Sequence, residues 1–304
     1  DGIGMGATSY ALGLEVPEFA AIQTTPAGEA GDFPGVQLLA NDGKPIGIVS
    51  GVSDTYADAD GDIRIGDWEY LSNGNIIIVG ESRQQQDLVD KYKGTAAANH
   101  AVYRIVDPTG KEIRAESLVS SEPVKSEIWH GVGVTKNGFA VRFSWNGVGA
   151  VRLFDNSGAP ISTNLDIAKI TGKVGAASGN RGDGDGFHGN GNDAYVVVNN
   201  GTDDQGAKQV WLTVLNANDG SARYSRAVAD DISLTGPDRV DAAIDPSGRV
   251  IAVFDDTSAT GGANRLVLAR VFDETGKPVG GTFYVSELEN GPAAAAESRQ
   301  ARVS

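Results

Sequence analysis

Arg270-Val271-Phe272-Asp273-Glu274-Thr275-Gly276-Lys277-Pro278-Val279-Gly280-Gly281 is the stretch that decides the fold. A run of branched and aromatic residues stops at an aspartate, passes a glycine three positions later and resumes. Aspartate bonds its own downstream backbone and glycine supplies a positive φ, so the stretch reads as a tight reversal between antiparallel strands. The same reversal occurs at Asn41-Asp42-Gly43-Lys44-Pro45, Asp107-Pro108-Thr109-Gly110-Lys111, Asp155-Asn156-Ser157-Gly158-Ala159 and Asn218-Asp219-Gly220. Each follows a run suited to a half-buried pleated surface, at 36–39, 102–106, 151–154, 210–215 and 266–272.

A second set of turns lies upstream of four of these hairpins: Ser72-Asn73-Gly74, Lys136-Asn137-Gly138, Asn190-Gly191-Asn192-Asp193 and Asp245-Pro246-Ser247-Gly248. Each opens a strongly apolar strand, at 76–79, 139–143, 195–198 and 250–254. Four strands per unit, repeating at a period of about sixty residues, predict an all-β chain folded as a β-propeller. The expected blades are 63–126, 127–185, 186–237 and 238–287 within a single domain over 1–304. At the N-terminus only three strands are left, near 9–16, 36–40 and 46–50. At the other end Ser298-Arg299-Gln300-Ala301-Arg302-Val303-Ser304 matches the start of an inner strand. Three plus one predicts a fifth blade shared by the two termini, which removes open sheet edges. The alternative is a ring of six or seven blades of which this sequence is a part.

Composition agrees with this class. The chain of 304 residues has one methionine, no cysteine and 40% hydrophobic residues, with no sustained helical period. Absence of cysteine excludes disulfide staples, thiol catalysis and cysteine-bound zinc. A net charge of −15 argues against nucleic acid or an anionic lipid surface as partner, because phosphate contact needs clustered cations. No run approaches the ~18 apolar residues of a membrane span. The sequence begins at Asp1 rather than Met, the expectation being a removed leader and an extracellular, cell-surface or periplasmic location.

Short glycine turns all fall on one face of the expected disc, so the long connections gather on the other, where binding residues concentrate. The strongest local motif there is Asp54-Thr55-Tyr56-Ala57-Asp58-Ala59-Asp60-Gly61-Asp62. Alternating carboxylates before a glycine suit Ca²⁺, which takes 6–8 oxygens, and Asp54, Asp58, Asp60 and Asp62 are the expected ligands. The closing glutamate of an EF-hand is missing, and a solvated acidic turn is the plainer reading. Asp183, Asp185 and Asp193 form a weaker set.

Polar and aromatic residues recur near the starts of the inner strands. Trp68, Trp129, His130, His188 and Arg239 are candidates to bind a ligand at the channel mouth, with Asp67, Glu69, Asp241 and His130 as candidate catalytic groups. Tryptophan covering an apolar sugar face while acids accept hydroxyl hydrogen bonds is the chemistry of carbohydrate recognition. Tryptophan in a blade also packs between sheets, and Trp211 reads that way. A glycosidase needs two carboxylates ~5–9 Å apart, which Asp67 or Glu69 opposite Asp241 could supply. No serine nucleophile elbow and no phosphate-cradling loop occurs.

The alternation of units such as 270–281 with units such as Asp245-Pro246-Ser247-Gly248-Arg249-Val250-Ile251-Ala252-Val253-Phe254 resembles the repeat propellers of bacterial secreted and surface proteins. The resemblance is best over 238–287 and poor over 1–30 and 166–200. It implies a binding or architectural part of a larger assembly. The expected function is therefore a non-catalytic module, calcium-stabilised, holding a carbohydrate or a protein on its long-loop face. The alternatives are a glycan-cleaving enzyme using channel-mouth carboxylates and a subunit of a surface filament or layer.

Overall fold

Four of the reversals read from the sequence are closed in the same way by their own aspartate. Asp107 Oδ1 accepts hydrogen bonds from the amides of Thr109 and Lys111 at 2.8 and 3.0 Å and from the Thr109 hydroxyl at 2.6 Å. Asp155, Asp245 and Asp273 repeat this geometry onto the residues two and four positions on. The glycines that follow, Gly110, Gly158, Gly248 and Gly276, have φ between +78 and +95°. These bonds hold the five turn carboxylates, Asp107, Asp155, Asp219, Asp245 and Asp273, below the usual aspartate range; the Asp155 side chain is also partly buried, which opposes the shift.

The computed structural model describes residues 18–24, 33–39, 45–50, 63–83, 99–122, 126–127, 131–146, 148–171, 186–257 and 265–285. An N-terminal sheet contains β1 (Glu18–Thr24), β2 (Phe33–Leu39) and β3 (Pro45–Ser50), in that order. The first blade is β4 (Ile63–Tyr70), β5 (Ile76–Arg83), β6 (Asn99–Val106) and β7 (Glu112–Leu118). The second has β8 (Ser126–Glu127) and β9 (Val132–Thr135) both pairing β10 (Gly138–Trp145), then β11 (Val148–Asp155) and β12 (Leu165–Asp166). The third is β13 (Phe187–Gly189), β14 (Ala194–Thr202), β15 (Lys208–Asn216) and β16 (Ala222–Ala227). The fourth is β17 (Asp238–Ile244), β18 (Val250–Asp256), β19 (Leu266–Phe272) and β20 (Phe283–Tyr284). Four antiparallel sheets in sequence order, each facing the next, make this a β-propeller.

Three details differ from the sequence reading. The first strand of the N-terminal sheet is β1, downstream of the expected stretch 9–16, which lies outside the described residues. At the start of the expected loop 166–186 a helical turn forms, α1 (Ile167–Thr171), and Asp166 caps it by accepting from the amides of Ala168 and Lys169. The tight turns are also not confined to one face. Trp145 pairs with Val148 across a two-residue reversal at Asn146, φ +50°, where a long loop was expected. Asp203 closes a further turn onto the amides of Gln205 and Ala207, with Gly206 at φ +83°.

Alternation along the central strands puts one apolar face against the blade before and the other against the blade after. Ile77, Val79, Tyr103 and Ile105 of the first blade pack with Phe139, Phe143 and Phe154 of the second. Val151 and Leu153 pack with Phe187, Tyr195 and Leu215 of the third. Val196, Val198, Leu212 and Val214 pack with Ala252, Phe254, Leu268 and Phe272 of the fourth. Val253 and Ala269, with Ile251 and Val267 half-buried beside them, begin a further face on the outer side of the fourth blade.

Two arginines, Arg152 half-buried and Arg270 buried, fasten successive blades. Arg152 on β11 donates to the Val119 carbonyl at 2.9 Å, just past the end of β7. Arg270, at the equivalent place on β19, donates to the Val228 carbonyl at 2.8 Å, just past β16, and pairs with Asp230. Each guanidinium lies over the phenylalanine two residues on, Phe154 or Phe272, at 5.3 and 5.7 Å. The inner strands approach more closely still. A methyl group on Gly133 would meet the Gly189 nitrogen at 2.8 Å, and one on Gly189 would collide with the backbone of Val134.

Two glycines thus resist substitution for different reasons. Gly189→Ala forces the second and third blades apart and is expected to cost about 1–3 kcal/mol or more. Gly206→Ala meets nothing within 4 Å and carries only the strain of its positive φ, about 1–2 kcal/mol. Urea unfolding of the two variants checks this. The expected signature for Gly189→Ala, and not for Gly206→Ala, is faster exchange of the inner-strand amides.

Candidate functional site

The registers superimpose the four inner strands residue by residue. Asp67, Gly131, Gly186 and Asp241 stand at one level; Trp68, Val132, Phe187 and Ala242 at the next; Glu69, Gly133, His188 and Ala243 at the third. The middle level is the packing level, since Val132, Phe187 and Ala242 are all buried against the preceding blade. Trp68 shares it, half-buried with its ring edge-on to Tyr70 at 6.4 Å, and so lies on the opposite side of β4 from Asp67 and Glu69.

The other two levels bring the charged groups together. Asp67 Oδ1 accepts from its own neighbour, the Trp68 amide, and Oδ2 from the Val132 amide of the next blade, both at 2.8 Å. Asp241 is 2% exposed, and its Oδ1 accepts from the Ala242 amide at 2.8 Å and the Gly186 amide at 3.0 Å. The His188 Nε2 lies 3.2 Å from the same oxygen and donates to it in the Nε2-protonated tautomer. Each aspartate therefore ties its own strand to a neighbouring blade. Within the second blade the corresponding positions are glycines, Gly131 and Gly133, where a Cβ would meet Phe187 at 2.7 Å and the Gly189 nitrogen at 2.8 Å, so the third blade packs directly on them.

Glu69 keeps its proton to about 7, from an ordinary value of 4.5. Burial is the main cause and the Asp67 charge the second; His188 and a backbone hydrogen bond oppose them. The structure thus gathers Asp67, Glu69, His188 and Asp241 about the inner strands, as the sequence suggested. It gives both aspartates backbone amide partners, and Asp241 the His188 ring as well. Arg239 falls elsewhere: it sits in the irregular register between Asp238 and Asp241 with φ +43°, and its charge acts on Asp255. Trp129 and His130 lie outside the described residues, as do Asp54, Asp58, Asp60 and Asp62. His100 is buried on β6. Among the described residues no three acidic or histidine side chains form a metal-binding group.

A feature without a motif lies at the far end of the third and fourth blades. There a cleft of about 360 Å³ opens between the end of the β14–β15 hairpin and the connection into β17, lined by Asn200, Thr202, Lys208, Gly236, Asp238 and Arg265. Its residues are far apart in sequence and of common types, so only the hairpin registers bring them together.

No family model and no curated protein matches this chain. Its fold is similar to a Dyadobacter fermentans protein of unknown function at 14% identity, over 77% of this chain and 71% of that one, with a TM-score of 0.47. It is similar to a protein assigned as TolB from Agrobacterium tumefaciens at 16% identity, over 88% and 79%, with a TM-score of 0.42. A GH43 endo-arabinanase from Bacillus licheniformis is similar at 12% identity, over 86% and 92%, with a TM-score of 0.33. No helix among the described residues is long and apolar enough to cross a membrane.

The raised proton affinity of Glu69 sets a pH dependence with a definite sign. The folded state binds this proton more tightly than the unfolded chain, so its contribution is complete below about 4.5 and is lost as pH rises through about 7. Between these limits Glu69→Gln should gain stability relative to wild type, at up to about 1.4 kcal/mol per pH unit of displaced titration. Urea titrations of both proteins across this window check it; parallel curves would mean that Glu69 ionises freely.

Proposed function

We propose that this protein is an extracellular, non-catalytic binding module that holds a carbohydrate on the face carrying the second-to-third strand connections and the blade crossovers. The observation that carries the reading is the division of labour among the polar groups. The inner-strand aspartates Asp67 and Asp241 accept backbone amides that tie blades together, and Asp241 also meets His188. The cleft beside Lys208, by contrast, opens between a hairpin end and a blade crossover. Function on loops held by a rigid scaffold is the usual arrangement in such folds. Calcium bound by Asp54, Asp58, Asp60 and Asp62 belongs to the same reading, as a device that orders that face.

One observation favours a second reading, a glycan-cleaving enzyme. A carboxyl group that keeps its proton to about 7 beside an ionised partner is what a general acid requires, and Glu69 has that character. Hydrolysis would need a second carboxylate free to act on water or on the sugar.

A glycan array probed in EDTA and in millimolar calcium, followed by an assay for new reducing ends on every glycan retained, separates the readings. Retention without cleavage is the expected result, with a calcium-dependent rise in melting temperature. Cleavage abolished by Glu69→Gln would establish the enzyme instead. Retention of no glycan in either condition would remove the carbohydrate reading and leave a protein partner or an assembly role.

A further inference from the structure

The cleft between the third and fourth blades is built on fixed walls. The Trp211 indole donates to the Thr202 carbonyl at 3.1 Å and holds the end of the β14–β15 hairpin. Asp256, fully buried, accepts from the amides of Thr235 and Gly236 and so holds the crossover. Arg265 Nη1 donates to the Gly236 carbonyl at 2.9 Å and to Asp255 Oδ1 at 2.5 Å. Asp255 is fully buried, and its other oxygen has no hydrogen-bond partner among the described residues. Arg239, next to Asp238, takes a positive φ within the irregular register, a strained conformation that the surrounding ladder has to sustain. Two walls held this firmly bind a ligand with little ordering cost.

Asp238 and Arg265 form a long ion pair across the cleft, and the Lys208 charge stands apart from it. Lys208 Nζ has no hydrogen bond or ion pair among the described residues, although Asp238 lines the same cleft. Asp238 is 43% exposed, and its Oδ2 stands 4.0 Å from Arg265 Nη2. That separation is too long for a hydrogen bond and leaves a carboxylate acceptor beside a guanidinium donor. A ligand hydroxyl satisfies both, donating to Asp238 and accepting from Arg265. An ammonium could serve Asp238 but would meet the Arg265 charge. Lys208, an exposed cation without an ion pair among the described residues, can receive an anion elsewhere on the same ligand. Among the described residues no aromatic ring lines the cleft, so its specificity comes from its charged groups rather than from stacking.

The geometry points to a sugar acid as the occupant: a uronate whose carboxylate pairs with Lys208 and whose hydroxyl bridges Asp238 and Arg265. This rests on the carbohydrate-binding reading above and names its ligand class and its subsite. An acidic protein carrying this site uses local charge against its own net repulsion, so binding weakens in salt less steeply than it would on a basic surface.

The test is calorimetric titration of the intact chain with trigalacturonate, with the same trisaccharide after carboxyl reduction, and with glycine as a probe for amino-acid zwitterions. The expected result is binding of the uronate, at least about tenfold weaker binding of the reduced sugar, and no response to glycine. Lys208→Gln, an exposed position, is expected to lose about tenfold for the uronate while leaving the melting temperature unchanged. Asp238→Asn should weaken both sugars alike, because it touches the hydroxyl and not the carboxylate. Equal affinity for the reduced sugar, indifference to Lys208→Gln, or binding of glycine would each overturn the assignment. Retention of other glycans on the array with no uronate binding would overturn this inference alone, whereas retention of none would remove both it and the reading beneath it.

Discussion

Everything in this fold depends on one sheet face being buried against the next. No blade is thick enough to hold a core of its own, so its stability comes from the side chains it shares with its neighbours. Ile77, Val79 and Tyr103 serve the first blade only because Phe139 and Phe154 of the second complete the layer. The alternation that sends Val196 toward the fourth blade sends Tyr195 and Val197 toward the second. A strand whose two faces both carry apolar side chains therefore has to lie between two others, and the sequence repeats such strands in every unit.

Hydrophobic contact alone would let the blades slide, and polar groups fix their positions. Arg152 and Arg270 reach the carbonyl that ends the preceding outer strand. Asp67 and Asp241 do the same at the inner edge by accepting a backbone amide from a neighbouring blade. Buried amides and carbonyls are costly when unpaired, about 1–3 kcal/mol each, so these few contacts determine the angle at which sheets meet. They also set what the inner edge can do. Glu69, on the same side of β4 as Asp67, is the inner-strand carboxyl whose titration burial raises.

The fold was legible because its turns are chemical signals. Asp-x-Ser/Thr-Gly places a hydroxyl, an amide and a positive φ where the reversal needs them, and Asp245-Pro246-Ser247-Gly248 can be read without a structure. The site was legible in part. Alignment on the turns brought Asp67, Glu69, His188 and Asp241 to neighbouring levels, but nothing in the sequence distinguishes a carboxylate that accepts a neighbour's amide from one that is free to react. Arg152 and Arg270 read as ordinary strand residues, because their partners are carbonyls, which every residue has. Lys208, Asp238 and Arg265 carry no spacing rule at all. They meet because two hairpin ends and a crossover are brought together by tertiary packing, and a local pattern does not encode that. The Asp203 turn and the Asn146 reversal show the opposite error: both signals were visible, but long loops were assigned to that face on topology alone.

The central claim is that the inner-strand aspartates are structural ties, with recognition left to the loops. Amide hydrogen exchange at Val132 and Gly186 tests it most directly, because these two amides donate to the Asp67 and Asp241 carboxylates of other blades. The account predicts protection comparable to that of the central strands, lost at Val132 in Asp67→Ala and at Gly186 in Asp241→Ala, with ligand binding retained in both. Rapid exchange at both amides in the wild type would contradict it, as would loss of ligand binding in a variant that stays folded.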